Sequence, residues 1–343
     1  MSVRVGFLGA GKIAEYHRRL IAGSDEQVEW VGVYDPVRER AEAFAARTGA
    51  PALDDPLAVI EAADAVYVVT WTSEHLPLVE AVCAAGRAVF CEKPLGRDLA
   101  EAQALADAAA RSGVVNQVGL VLRRSPLFWL LRSVVDDPDS GPAMVVDFRD
   151  DQCIPTRGHY ESTWRGDAGK AGSGVLLEHS IHDMDLLEWI LGPISTVSAT
   201  TASHHGIPGI EDVAVCRFEF ASGAQGTLTT VWHDIDSRIS NRSVEVFCRS
   251  GYGRAEGEWY GSFGRQRGPD SEVTVLAGEE MLAAAAALDP RAGEWPDVAF
   301  LRSVRSGQPC SPDVLDALRA HVIVDACYRS AAAGGTVVTV AGR

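Results

Sequence analysis

Short runs of β-branched and aromatic residues alternate with alanine-rich stretches over the first third of the chain. The runs VRVGFL (3–8), VEWVGVYD (28–35), AVYVVT (65–70), AVFCEK (88–93) and VVNQVGL (114–120) read as strands. Residues 37–48, 76–85 and 98–112 carry helical composition between them. Strand, helix, strand repeats of this kind predict a parallel sheet wrapped by helices. Beyond residue 122 the rhythm changes to a helix near 126–136, a strand near 143–150, a Gly-rich turn and a single helix near 175–191. The alternating segments DVAVCRFEF and GAQGTLTTVW flank ASG and predict an antiparallel hairpin. A helix over 312–332 and a short strand in TVVTV close the chain. The predicted fold is an α/β N-terminal domain over 1–122 and an α+β domain over 123–343 with an open, mainly antiparallel sheet, its helix at about 312–332 able to pack back on the first domain.

The chain has 343 residues, enough for two domains with sizeable cores. Lys and Arg number 31 against 47 Asp and Glu, a formal charge of −16 with no basic stripe, which argues against nucleic-acid binding. No stretch approaches the roughly 18 apolar residues of a membrane span. Seven cysteines are scattered singly without a CxxC pair and read as buried thiols in a reducing compartment. The N-terminus enters the first strand without a signal-like segment, so a cytoplasmic location is expected.

The first strand ends in Gly9-Ala10-Gly11-Lys12-Ile13-Ala14, a G-x-G-x-x-A pattern at a strand-to-helix turn. Gly9 suits the tight turn, and Gly11 lets a pyrophosphate approach the backbone. The helix start at Lys12 and Ile13 offers N–H donors, and Ala14 permits close packing on the strand. Asp35 ends the next strand 26 residues beyond Gly9, where a carboxylate can hold an adenosine ribose. That favours NAD; Arg38, three residues later, could reach a 2′-phosphate and keeps NADP open.

The fourth strand ends in Glu92-Lys93-Pro94, at the edge of the sheet where open α/β folds collect ligands. Lys93 there could donate to a substrate hydroxyl as hydride leaves, the alternative being an ordinary strand-end lysine. In the predicted helix over 175–191, Glu178 and His182 are four apart and share a face, with Asp185 following. A carboxylate beside an imidazole could serve as a proton shuttle or be no more than a solvated pair. The same spacing turns His179 away, so no metal site is expected from these residues.

The blocks GAGKIA, VYVVTWTSEHLPLVEAVCAAGRAVFCEKP, WRGDAGKAGSGVLLEHSIHDMDLLEWILG and SPDVLDALRAHVIVDACYRS together resemble the Gfo/Idh/MocA oxidoreductases over nearly the whole chain. The resemblance implies an N-terminal Rossmann domain, a C-terminal domain on an open sheet whose exposed face forms homodimers or homotetramers, and an activity on inositol or sugar hydroxyls. It makes Glu92, Lys93 and Pro94 the family's glutamate-lysine-proline motif, often with a cis lysine-proline peptide, and Lys93 the leading catalytic residue. It puts Glu178, in place of the usual aspartate, and His182 at the family's D-x-x-x-H pair. His182 becomes the general base, and Glu178 orients it or grips a substrate hydroxyl. Thr70-Trp71-Thr72 replaces threonine-proline-asparagine, with His75 kept; Thr70, Trp71, His75 and Glu92 fall on the cofactor side. Val118 to Arg123 keeps only the second arginine of the family's pattern, and Arg123 and Trp164 are candidates for the substrate side.

These readings converge on an NAD-preferring dehydrogenase that moves hydride between nicotinamide and a secondary carbinol of a sugar, cyclitol or sugar derivative, or a ketone reductase in reverse. The alternatives are a glycosidase that uses NAD transiently and a non-enzymatic dinucleotide-sensing regulator.

Overall fold

The computed structural model describes residues 2–268 and 270–342. The chain forms two compact units. One runs to Val121 and includes Trp295–Leu318; the other comprises Leu122–Glu294 and the chain from Arg319 onward. The sequence expectation placed the second domain at 123–343, with the helix at about 312–332 able to pack back on the first; here the segment from Trp295 through the start of that helix, to Leu318, groups with the first unit.

The first unit carries five strands, β1 (Val3–Leu8), β2 (Val28–Tyr34), β3 (Ala65–Val68), β4 (Ala88–Cys91) and β5 (Asn116–Val118), in the order β2-β1-β3-β4-β5. Every pairing is parallel, as the strand, helix, strand repeats predicted. Helices α1 (Lys12–Ala22), α2 (Arg38–Thr48), α3 (Pro56–Ala62), α4 (His75–Ala84) and α5 (Leu99–Ser112) make the crossovers. Two starts are fixed by side-chain caps. Asp55 accepts from the Leu57 N–H ahead of Pro56, and Asp98 accepts from Glu101 N–H.

Phe7, Tyr67 and Phe90 occupy matching positions on β1, β3 and β4, and their rings stack at 4.7 and 4.9 Å. Phe300, from the returning segment, closes this ladder edge-on to Tyr67 at 5.5 Å. Further along that segment, Val118 N–H donates to the Pro312 carbonyl, and Val314 N–H donates to Asn116 Oδ1. These contacts explain why Trp295–Leu318 belongs with the first unit.

The second unit is built on nine strands: β6 (Ala143–Cys153), β7 (Ile194–Ala202), β8 (Val213–Phe220), β9 (Gln225–His233), β10 (Ser240–Cys248), β11 (Tyr252–Gly257), β12 (Gly261–Gln266), β13 (Thr274–Ala277) and β14 (Val338–Thr339). Their order is β13-β12-β11-β10-β6-β9-β8-β7-β14, antiparallel throughout except for the parallel pair β6 and β9. The predicted hairpin is β8 and β9. Strict burial alternation along β8 shows one face covered and one open. The remaining helices are α6 (Pro126–Val135), α7 (Ala168–Ala171), α8 (Val175–Glu178), α9 (Ile181–Leu191), α10 (Gly278–Leu288), α11 (Pro296–Ser306, in the first unit) and α12 (Val314–Ala332). All seven cysteines are reduced and buried. Among the described residues no helix is long and apolar enough to cross a membrane.

The single helix expected over 175–191 is two helices, broken at His179 and Ser180. The break turns both side chains inward to Asp150 on β6: His179 Nε2 lies 3.1 Å from Oδ1, and Ser180 Oγ donates to Oδ2 at 3.2 Å while lying 2.7 Å from the Thr230 hydroxyl, which can donate to it. Upstream, Glu211 accepts from the Gly174 and Leu176 N–H groups and docks the start of α8. Buried polar groups demand partners, and here that demand overrides helical continuity.

Candidate active site

The strand order reverses between β1 and β3, which places a crevice at the carboxyl ends of these strands, where open α/β sheets bind ligands. Gly9, just past β1, has φ +104°, and a Cβ there would lie 2.5 Å from the Val69 carbonyl oxygen; only glycine fits the turn. Nothing lies within 4 Å of the Cβ that Gly11 lacks, so the backbone before α1 is open to close approach. Lys12 and Ile13 are exposed at the helix start. Asp35 follows β2; its Oδ2 accepts from Ala10 N–H at 2.8 Å and its Oδ1 from Val37 N–H at 2.8 Å, which ties its carboxylate to the glycine loop. An open glycine cradle, a helix start and a fixed carboxylate suit a dinucleotide with a free ribose diol.

Arg38 is turned elsewhere. Its guanidinium pairs with Glu42 at 2.9 Å and with Asp54. Asp35→Ser is therefore expected to lower the ratio of NAD to NADP affinity by about tenfold, with loss of the ribose bond and of the repulsion toward a 2′-phosphate. Titration of the two cofactors against intrinsic fluorescence measures this, and an unchanged ratio would remove Asp35 from the ribose.

Thr70 and Trp71 follow β3 beside Gly9, with Thr70 Oγ1 donating to the Trp71 carbonyl at 3.3 Å. His75, buried at the start of α4, has its Nδ1 2.8 Å from the Pro94 carbonyl, so it braces the loop after β4. That loop carries Glu92, Lys93 and a cis Lys93–Pro94 peptide. Glu92 is buried; its Oε2 accepts from Lys93 N–H at 3.2 Å and its Oε1 lies 3.1 Å from His17 Nε2. Lys93 itself is half-buried. The first unit thus gathers Gly9, Gly11, Asp35, Thr70, Trp71, His75, Glu92 and Lys93 at one end of one sheet.

In the second unit, His182 is half-buried in the first turn of α9. Glu178 ends α8, across the break, so the expectation that the two share one face of a continuous helix is corrected. Glu178 is gripped by Arg165, whose Nε donates at 2.7 Å while Nη1 donates to Ser162 Oγ and the guanidinium lies over the Trp164 ring at 4.7 Å. Trp164 and Arg165 share one short turn, Thr163–Gly166. Arg123 forks onto Asp185 at 2.8 and 2.5 Å, anchoring the helix that bears His182. Both ends of this bidentate pair are largely enclosed, so Arg123 acts on α9 before it acts on any ligand.

Beside it lies a cluster that sequence reasoning missed. Arg242 on β10 is buried and contacts three carboxylates: Nε to Asp183 at 2.7 Å, Nη2 to Asp150 at 3.4 Å, and Nη1 to Glu258. Burial, reinforced by Asp150, pushes Asp183 up to about 8. Arg242, Val244 and Val246 share one strand face, as do Asp150, Phe148 and Val146. A charge that continues an apolar period of two was the available signal.

Residues 3–120 match the profile described as "Oxidoreductase family, NAD-binding Rossmann fold", and residues 128–253 match the "GFO/IDH/MocA C-terminal domain". An inositol 2-dehydrogenase of Rhizobium meliloti (strain 1021) is 32% identical over 240 residues, 67% of this chain and 68% of that protein. The scyllo-inositol 2-dehydrogenase (NAD(+)) of Bacillus subtilis (strain 168) is 30% identical over 263 residues, 71% and 73% of the two chains. A levoglucosan dehydrogenase solved in complex with NADH shares the fold over 100% of both chains, with a TM-score of 0.89 at 21% identity. Glycine cradle, the carboxylate after β2, lysine loop and profile matches agree: the chain belongs to the Gfo/Idh/MocA family and is an NAD-binding oxidoreductase.

Proposed function

We propose that the chain oxidises a secondary hydroxyl of a cyclitol, sugar or sugar derivative, and reduces the corresponding ketone in reverse. The observation that carries this reading is the place of Lys93, half-buried on the loop after β4 at the same sheet end as Gly9, Gly11 and Asp35. Bound NAD supplies the hydride acceptor. Lys93 donates an N–H to the substrate oxygen and stabilises the alkoxide that develops there; His182 takes the hydroxyl proton. Glu178, held by Arg165, is fixed as an acceptor for a neighbouring substrate hydroxyl, and the Trp164 ring offers an apolar face suited to sugar C–H groups. The names of the inositol dehydrogenases support the substrate class.

Exposed Val145, Val215 and Phe247 on the open sheet face support a homo-oligomer, and the seven reduced cysteines support a reducing compartment such as the cytoplasm. Purified protein with NAD should show growth of the reduced-nicotinamide absorbance on addition of an inositol or an aldose from a panel that also contains amino sugars and glycosides. Silence across the panel in protein that binds NAD would overturn the reading.

A further inference from the structure

His17 lies on the buried face of α1 between Ala14 and Ile21, where an aliphatic side chain would pack at no polar cost. Its ring meets a carboxylate at each nitrogen: Nδ1 lies 2.8 Å from Asp297 Oδ1, and Nε2 lies 3.1 Å from Glu92 Oε1. A neutral imidazole offers one N–H and the imidazolium two, so the two carboxylates are both satisfied only by the charged ring. Burial opposes that charge, but Asp297 and Glu92 together raise His17 to about 10. Asp297, wholly buried, comes from α11 in the returning segment.

Glu92 is pinned from two further sides. Its Oε2 accepts from the Lys93 N–H, and a Cβ on Gly119 would lie 2.3 Å from its Oε1, so only glycine leaves the carboxyl its place. Burial pushes the Glu92 carboxyl up, yet the bond and charge of His17, with the charge of Lys93, outweigh it and hold it below the ordinary range. The other titratable groups that face this cluster are Tyr67, Cys91, Tyr16 and Cys310. Tyr67, its ring 5.6 Å from His17, is pushed up by burial and by Asp297; the Cys91 thiol is pushed up by burial and by Glu92. Tyr16 lies at 6.0 Å, and Cys310, which also faces Tyr67, donates its thiol to Gln117.

We propose that Asp297 and His17 form a line of fixed charge that holds Glu92 ionised beside Lys93, making His17 a positioning residue for the lysine. One imidazolium between two carboxylates leaves one net negative charge in the group, and Glu92 is the carboxylate that touches the Lys93 backbone. The inference rests on the reading of Lys93 as the group that contacts the substrate hydroxyl. Without His17, the bond and charge that outweigh the burial of Glu92 are gone, so Glu92 is the carboxyl that takes a proton, and Lys93 loses its fixed counter-charge.

In His17→Gln the pKa of Lys93, read in the cofactor-free protein from the pH dependence of its acylation by mass spectrometry, should fall by about one unit. The kcat should fall by roughly tenfold to a hundredfold, with its alkaline limb moved the same way, while KM and the NAD dissociation constant stay within about threefold. Asp297→Asn, which keeps the shape, should shift both quantities in the same direction and serves if His17→Gln does not fold. In the unmodified protein, 15N NMR at pH 8 should show both ring nitrogens of His17 protonated. A neutral His17, or a folded variant with unchanged Lys93 titration and kcat, overturns the inference. Lys93→Met separates the two ideas. Retained turnover there removes the reading of Lys93 and the inference with it, whereas an inactive Lys93→Met beside an unaltered His17→Gln removes the inference alone.

Discussion

Replacing Lys93 with methionine is expected to lower kcat by roughly a thousandfold while the NAD dissociation constant stays within about threefold. Methionine keeps the length and apolar stem of lysine but has no N–H to offer a developing alkoxide. A preorganised donor at such an oxygen contributes about 3–4 kcal/mol to the barrier, the equivalent of two to three powers of ten. Cofactor affinity should survive because the cradle is made elsewhere: by Gly9 and Gly11, by the start of α1, and by Asp35 tied to Ala10 N–H. The loop should also keep its shape, since its braces are the Lys93 backbone N–H to Glu92 and the Pro94 carbonyl to His75, neither of which uses the lysine amine. Steady-state rates together with cofactor titration decide the matter. A variant that keeps a tenth of wild-type kcat would move the oxygen-stabilising role to another residue.

The parts of this site that were legible in the sequence are those fixed by local rules. Gly9 and Gly11 sit at a strand-to-helix turn, Asp35 ends the following strand, and Lys93 ends the fourth; each place follows from the apolar runs that define the strands. What was not legible depends on partners far along the chain. The spacing of Glu178 and His182 is helical, yet the helix breaks between them because Asp150, on a strand some thirty residues earlier, takes His179 and Ser180 as partners. His17 looks like one more residue of an amphipathic helix until Asp297 is placed beside it, 280 positions later. Phe300 packs into the core of the first unit, and nothing in the sequence around it names that core. Periodicity reports that a side chain is enclosed; the identity of what encloses it is tertiary information.

Arg242→Met should be the most destabilising single substitution in the second unit, at about 3–5 kcal/mol, because it removes one cation from among Asp150, Asp183 and Glu258 while leaving Asp150 and Asp183 enclosed. For a domain of this size that corresponds to a fall in Tm of about 10 °C, readable by thermal denaturation at pH 7. Arg242→Lys should recover only part of it, since the guanidinium reaches three carboxylates through three nitrogens and an ammonium cannot span them. The same cluster sets a pH dependence. One guanidinium cannot hold three neighbouring carboxylates ionised, and burial with Asp150 nearby pushes Asp183 up to about 8. The folded protein therefore keeps a proton that the unfolded chain releases above about pH 4, so this contribution is complete at or below pH 4 and is lost as pH rises toward 8. Asp183→Asn, which keeps an acceptor for Arg242 and cannot ionise, should flatten the decline of Tm between pH 5 and 8. If the slope is unchanged, Asp183 is already ionised in the folded protein, and Arg242 neutralises its neighbours more completely than three carboxylates around one cation allow.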